Sequence, residues 1–580
     1  MGRKNQNILK TPRERVTPDS SSKMCLFEQI KLLHENGLHS NLIALGGLVL
    51  TVAENQPENS LLPAARYQTL VYVGRSLQIQ GEYRRAEATF REALQYVKAI
   101  AKTKVAKTSD MFKDGLTEID VKYAMAECNI AVRQFSQALT LLESIPQRHR
   151  TPKVNMGLGR LYQQAGMERP AITAYKEVLK ECPLALEAVQ ELLSLGVRGA
   201  EVASLMINMH GNSAETEWLS LWVKGHAYLH SRDYPSAISS FKQLEENSAL
   251  SRNVDILATL GETYYLAGDS KNALTMLQRA HTVNHLNLRG SDLLACLFAA
   301  DKRNRELEEL AMATTAVTDT APQPWITMGY YCQLSKRTTK AIYFAHKACS
   351  INPRSVEGLL LKGTLLLELK KLQEAVMHFR EAMQIAPHRF EPHKGLVDCY
   401  LAMHRSREAV TIASNACKLL GQTPRALTLY ASVLLKDSLT VSKGKSLLEK
   451  ALKEDPYHLP AVYLLCELYE QDMRYEAAIE LLRKQVAVQS TSRLHQMLAD
   501  FFSHVHDEEK AAHHFGIALN HEPSNTRALE GMQKMEAAPD TVEAPPYDME
   551  VEDIADSEGE VEESDLEAVW SDVDFSFSGQ

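Results

Sequence analysis

Four histidines lie close together near the end of the chain, His504, His506, His513 and His514. Imidazoles at short spacing are what a zinc ion would use, but a tetrahedral site needs a full ligand set. No cysteine or carboxylate completes one, and Val505 and Phe515 belong to helix faces, so no metal is expected. Gly444-Lys445-Ser446 imitates the end of a phosphate-binding loop, yet the position of its first glycine is held by Leu439. Gly157-Leu158-Gly159 falls short of a dinucleotide fingerprint in the same way, because Tyr162 stands where the third glycine belongs and no strand precedes it. The chain has no H-E-x-x-H, no G-x-S-x-G and no Cys-His pairing of a nucleophile with a base. Its nine cysteines are scattered singly without a C-x-x-C pair, which reads as reduced, mostly buried thiols. Neither catalysis nor a cofactor is expected.

The elements that carry these residues follow one period. Gly363, Ala375, Ala382 and Pro387 recur one step upstream as Gly329, Ala341, Ala348 and Pro353, every position displaced equally. Downstream the same step reaches Tyr400, Ala409 and Ala416. This is the tetratricopeptide (TPR) period of about 34 residues, in which each unit is a pair of antiparallel helices that buries its faces on itself and on the next pair. Ala375, Phe379 and Ala382 share one helical face, and Pro387 stops the second helix because it lacks an amide donor.

The frame extends from Gly74, Ala86, Phe90 and Ala93 to Ala511, Phe515, Ala518 and Pro523, giving about 13 repeats. The expected fold is all-α: a TPR superhelical solenoid ending in a disordered acidic tail. Segments 24–60 and 184–217 read as helical but off-pattern, the first as a cap and the second as a change of superhelical pitch. Residues 99–117, with Lys102, Lys104 and Lys107, read as a solvated insertion loop rather than a nucleic-acid site. The longest apolar run, Leu42–Ala53, is too short to cross a membrane and contains Gly46 and Gly47. Residues 1–23 are basic and polar and do not resemble a signal peptide.

Charge separates the C-terminus from the rest. Residues 536–580 hold 16 Asp or Glu and no Lys or Arg, so the whole-chain charge of −9 leaves +7 on residues 1–535. Such a segment cannot repay the entropy of folding. Ser557, Ser564 and Ser571 each have an acid three residues on, a pattern for an acid-directed kinase. Trp570, Phe575 and Phe577 among the acids would suit a basic partner surface.

A TPR array binds through the first helices of its pairs, which line a concave groove. In the central units those positions are Ile326, Tyr330 and Gln333, then Leu360, Thr364 and Leu367, then Lys394, Asp398 and Leu401. We take Tyr330, Gln333, Thr364, Lys394 and Asp398 as the candidate partner groove, with internal packing as the alternative for each. The Lys and Asn clamp by which chaperone-binding TPR proteins hold a terminal carboxylate is missing.

Several segments go beyond the generic repeat. Arg150-Thr151-Pro152-Lys153-Val154-Asn155-Met156, Tyr175-Lys176-Glu177-Val178-Leu179, Gly199-Ala200-Glu201-Val202-Ala203-Ser204 and Leu529-Glu530-Gly531-Met532-Gln533-Lys534-Met535 resemble the subunit 7 family of the anaphase-promoting complex. The likeness covers residues 24–580. It implies a non-catalytic scaffold of a cell-cycle ubiquitin ligase, with ubiquitin transfer by cullin and RING subunits. It also implies a homodimer through residues 24–180, a partner groove in residues 181–535, contacts with the other TPR subunits, and coactivator tails as further ligands. Nucleus and cytoplasm are the expected locations, with the mitotic spindle as a further one. No nucleic-acid or membrane partner is expected. A free-standing TPR adaptor for a chaperone or transport partner is the alternative.

Overall fold

The computed structural model describes residues 25–56, 61–103, 117–207, 217–246 and 250–536. Among them the regular elements are twenty-nine α-helices and one 3-10 turn, with no strand. The basic segment 1–23 and the acidic tail beyond Glu536, with Ser557, Ser564 and Ser571, lie outside the described residues, as does most of the expected 99–117 loop. Helix Tyr83–Thr103 continues into the start of that loop. Thr117 then caps helix Glu118–Ala131, exchanging hydrogen bonds with Asp120. The off-pattern segments are helical as expected: Leu26–Glu35 and His39–Asn55 in the first, Leu186–Ser194 and Gly199–Ile207 in the second.

The described residues form two compact units, divided between Val433 and Leu434. In the first, helix Val356–Glu368 pairs with Leu372–Ile385, and the crossing shows why the period carries small residues. Ala375 and Ala382 are fully buried, and Phe379 lies between two glycines of successive first helices. A Cβ on Gly363 would stand 2.8 Å from the Phe379 ring, and one on Gly395 2.4 Å from it. Gly74 and Phe90, Gly159 and Tyr175, and Gly225 and Phe241 repeat the arrangement at the same spacing as Gly363 and Phe379. In the second unit Phe515 packs on Gly531 in the same way.

The turn inside each pair is as regular as the crossing. Helix Val356–Glu368 ends with Lys370 in the left-handed region at φ 59°, while the Lys371 amide donates back to the Leu366 carbonyl at 2.9 Å. This is a Schellman closure, and Lys371 then serves as N-cap of the second helix. Arg337 to Cys332 and Arg405 to Tyr400 close the neighbouring turns alike, at 2.8 Å each. The left-handed conformation costs a residue with a Cβ about 1 kcal/mol.

The first unit also winds back on itself. The Arg133 guanidinium donates to the Ser350 carbonyl, and Arg354 donates to that of Gln164.

Candidate partner groove

The five expected groove residues fall into two groups. Tyr330 is only 9% exposed and lies against Cys296, whose thiol also approaches the Tyr265 hydroxyl at 3.9 Å. Burial raises the Tyr330 phenol well above its usual range, so it stays protonated. Ile326 and Leu360 are core residues. For these three positions internal packing is the outcome. Gln333 is half-exposed and donates to Glu368, Thr364 turns its hydroxyl onto the Leu360 carbonyl, and Lys394 is exposed. Asp398 is half-buried; burial raises its carboxyl above the ordinary range and nearby Lys394 draws it back.

A charged network at the starts of the first helices was not expected from the sequence. Arg389 Nη1 meets Glu357 Oε1 at 2.8 Å, Arg389 Nε meets Glu391 Oε2 at 3.0 Å, and Arg425 reaches the other Glu391 oxygen at 3.4 Å. The Arg389 guanidinium also lies 5.4 Å from the centre of the Tyr265 ring, which comes from a helix pair far upstream. Beside it Arg289 holds Glu262 through two hydrogen bonds, at 3.1 and 3.0 Å. Burial opposes ionisation of Glu391, but Arg389 and Arg425 outweigh it and keep the carboxyl below its usual range. Asp292 has no such partner: burial, reinforced by the Glu357 charge, pushes it up to about 7. Glu357 Oε2 and Arg389 Nη2 are buried without a hydrogen-bond partner. One acceptor and one donor are thus unpaired inside the network, both closed off from solvent.

A signal for this network was present. Asp255, Arg289, Gln323, Glu357, Glu391 and Arg425 stand one repeat apart in succession, so a charge recurs at five of six occurrences of one repeat position that a solvated face would leave to drift.

The residues that imitate chemical motifs are all absorbed by packing. Gly444 is buried inside helix Val441–Glu454, and Lys445 pairs with Asp472 at 3.3 Å. Gly159 faces the Tyr175 ring. His514 meets not His504 or His506 but His495, Nδ1 to Nδ1 at 3.0 Å, and Ser490 links His495 to His521. Burial, with His495 and His513 adding to it, lowers His514 to about 4. Among the described residues no group of three or more potential ligands is placed to hold a metal ion. Cys128, Cys332, Cys399 and Cys466 are buried as small apolar residues, while Cys25 and Cys182 are exposed.

The tetratricopeptide repeat family matches residues 366–433 and 442–501. A solved structure titled as the hetero-tetramer Cut9-Hcn1 of the anaphase-promoting complex superposes with a TM-score of 0.54 at 15% identity, covering 88% of this chain and 96% of that one, which supports the fold. In sequence, anaphase-promoting complex subunit 7 of Homo sapiens is 40% identical over 570 residues, spanning 96% of this chain and all of the human protein. The Arabidopsis thaliana subunit 7 is 26% identical over 529 residues, 88% of this chain and 93% of that protein. A repeat period alone would align with any TPR protein, whereas end-to-end identity at this level places the chain in the anaphase-promoting complex subunit 7 family.

Proposed function

We propose that the protein is a non-catalytic scaffold of the anaphase-promoting complex, the ubiquitin ligase that directs mitotic regulators to degradation, and that it enters the assembly as a homodimer joined through residues 24–180. The observation that carries the dimer is the apolar surface of the first helices. Leu48 is 68% exposed, Val52 50% and Leu62 76%, and the space over Gly47 is open. Leu48 and Val52 lie on helix His39–Asn55 and Leu62 caps the next, and exposed apolar side chains grouped in this way mark a surface that another chain covers. Nearby, a cavity of about 590 Å3 is lined by His34, Arg75, Tyr83, Asp120, Glu127 and Lys153 and offers mixed polarity to a second copy.

Farther along the first unit, exposed Lys394 and half-exposed Gln333 suit an extended segment of a neighbouring subunit or a coactivator tail. Activity in nucleus and cytoplasm, the spindle included, belongs to the same reading. Light scattering on the full chain tests the dimer: Leu48→Asp with Val52→Asp should give a monomer, and a wild-type monomer at micromolar concentration would defeat the proposal. Affinity capture from mitotic extract should bring down the cullin and RING subunits.

A further inference from the structure

The turns between first and second helices hold a repeated choice that packing does not explain. Left-handed residues recur at Gly268, Lys302, Lys336, Lys370 and His404, each one repeat after the last. Glycine adopts this conformation without strain, and Gly81, Gly166 and Gly268 fill equivalent turns. Lysine is strained there, so the fold does not ask for it. The following position is again basic in four successive turns, at Arg303, Arg337, Lys371 and Arg405.

These side chains are exposed. Arg303 pairs with Glu306 and Arg405 with Glu408, both pairs at the surface. Among the described residues Lys336, Arg337, Lys340, Lys370 and Lys371 form no ion pair, although Glu368 and Glu374 stand near. The four first helices, Ser291–Ala300, Pro322–Leu334, Val356–Glu368 and Phe390–Ala402, pack side by side in that order, so their ends form a row. Packed helices lie about 8–10 Å apart, which makes the row roughly 30 Å long, and an extended chain advances about 3.3 Å per residue. A strand of about ten residues spans it, passing one turn at about every third residue.

We propose that this basic edge docks an extended acidic segment of a partner protein, with an acid at about every third residue opposite successive turns. A nucleic acid fits less well, because Glu306, Glu374 and Glu408 interleave with the cations and no Phe, Tyr or Trp stands in the turns to stack on bases. Arg133, the left-handed residue of an upstream turn, shows the reach of such a side chain, since its guanidinium already engages carbonyl oxygens of another helix.

The test is fluorescence anisotropy on the full-length protein at low salt with three probes: a peptide of about 12 residues with Glu at every third position among Gly and Ser, a peptide of equal composition with its Glu residues contiguous, and an oligothymidylate of similar length. The spaced peptide should bind at least about threefold tighter than the contiguous one, and Lys336→Gly with Lys370→Gly should weaken it about fivefold or more. These replacements suit the backbone, so circular dichroism and melting should stay intact; Lys336→Glu with Lys370→Glu should abolish binding. Absence of binding, equal affinity for the two peptides, retained affinity in the glycine variant, or tighter binding of the oligothymidylate would each overturn the proposal.

Discussion

The Arg133 guanidinium donates to the carbonyl oxygen of Ser350 at 2.7 Å, although the two residues are 217 apart in sequence. A second contact runs the opposite way, from Arg354 to the Gln164 carbonyl at 3.3 Å. Both carbonyls belong to the last turn of a helix, where oxygens lack intrahelical partners and a cation is favoured. Together the two arginines clasp one stretch of the first unit to another.

Replacing both, Arg133→Ala with Arg354→Ala, should therefore loosen the coil without melting any helix pair. Exposed charge-assisted bonds of this kind contribute about 1 kcal/mol each at most. Amide exchange should rise in the turn after Ile351 and around Gln164, with circular dichroism unchanged. Unaltered exchange at both places would show that the clasp holds nothing.

Gly395→Ala places a methyl group 2.4 Å from the Phe379 ring, which is itself 2% exposed and has no room to retreat. Overpacking of this sort costs about 1–3 kcal/mol. Adding Phe379→Leu should recover part of the loss, because the smaller side chain vacates the contact. If the double variant is as unstable as the sum of the single ones, the ring is not the obstacle.

Ala382 is fully buried at a helix crossing, so Ala382→Glu forces both volume and charge into it. In a one-dimensional array the damage stays near its source. Limited proteolysis should begin within residues 356–416, while the second unit keeps its resistance. Unchanged protection there would mean that the crossing tolerates a carboxylate.

The helix pairs were legible because their determinants are local. A small residue at 363, 375 and 382 and a proline at 387 are needed wherever two helices cross and stop, so the period states the architecture directly. The groove was less legible. Tyr330 and Leu360 occupy first-helix positions that could face solvent, and the tyrosine is buried against Cys296, one repeat earlier on the adjacent first helix. The Arg389 network depends on the curvature of the unit, since Tyr265 and Arg389 meet across it. Pitch arises from the sum of many small rotations between pairs, and no single residue encodes it.

Asp292 gives the fold a pH dependence whose sign can be worked out. Its carboxyl, up to about 7 in the folded chain through burial and the Glu357 charge, returns to the ordinary value near 3.8 on unfolding. Between those values the folded state binds the extra proton, so this group adds stability at low pH and loses it as pH rises towards 7 and beyond. Titration belongs to Asp292 and Glu357 jointly, because each carboxylate opposes ionisation of the other. Asp292→Asn keeps an oxygen to accept from the Leu293 amide, as Asp292 Oδ1 does at 3.0 Å, while removing the charge. The variant should melt a few degrees above wild type at pH 8, about what 1–2 kcal/mol produces, with the gap closing towards pH 5. Comparing the two proteins at each pH cancels the titration of the remaining carboxylates. A gap that stays constant from pH 5 to 8, or a variant that melts lower at pH 8, would mean that Asp292 is ionised at little cost in the folded protein.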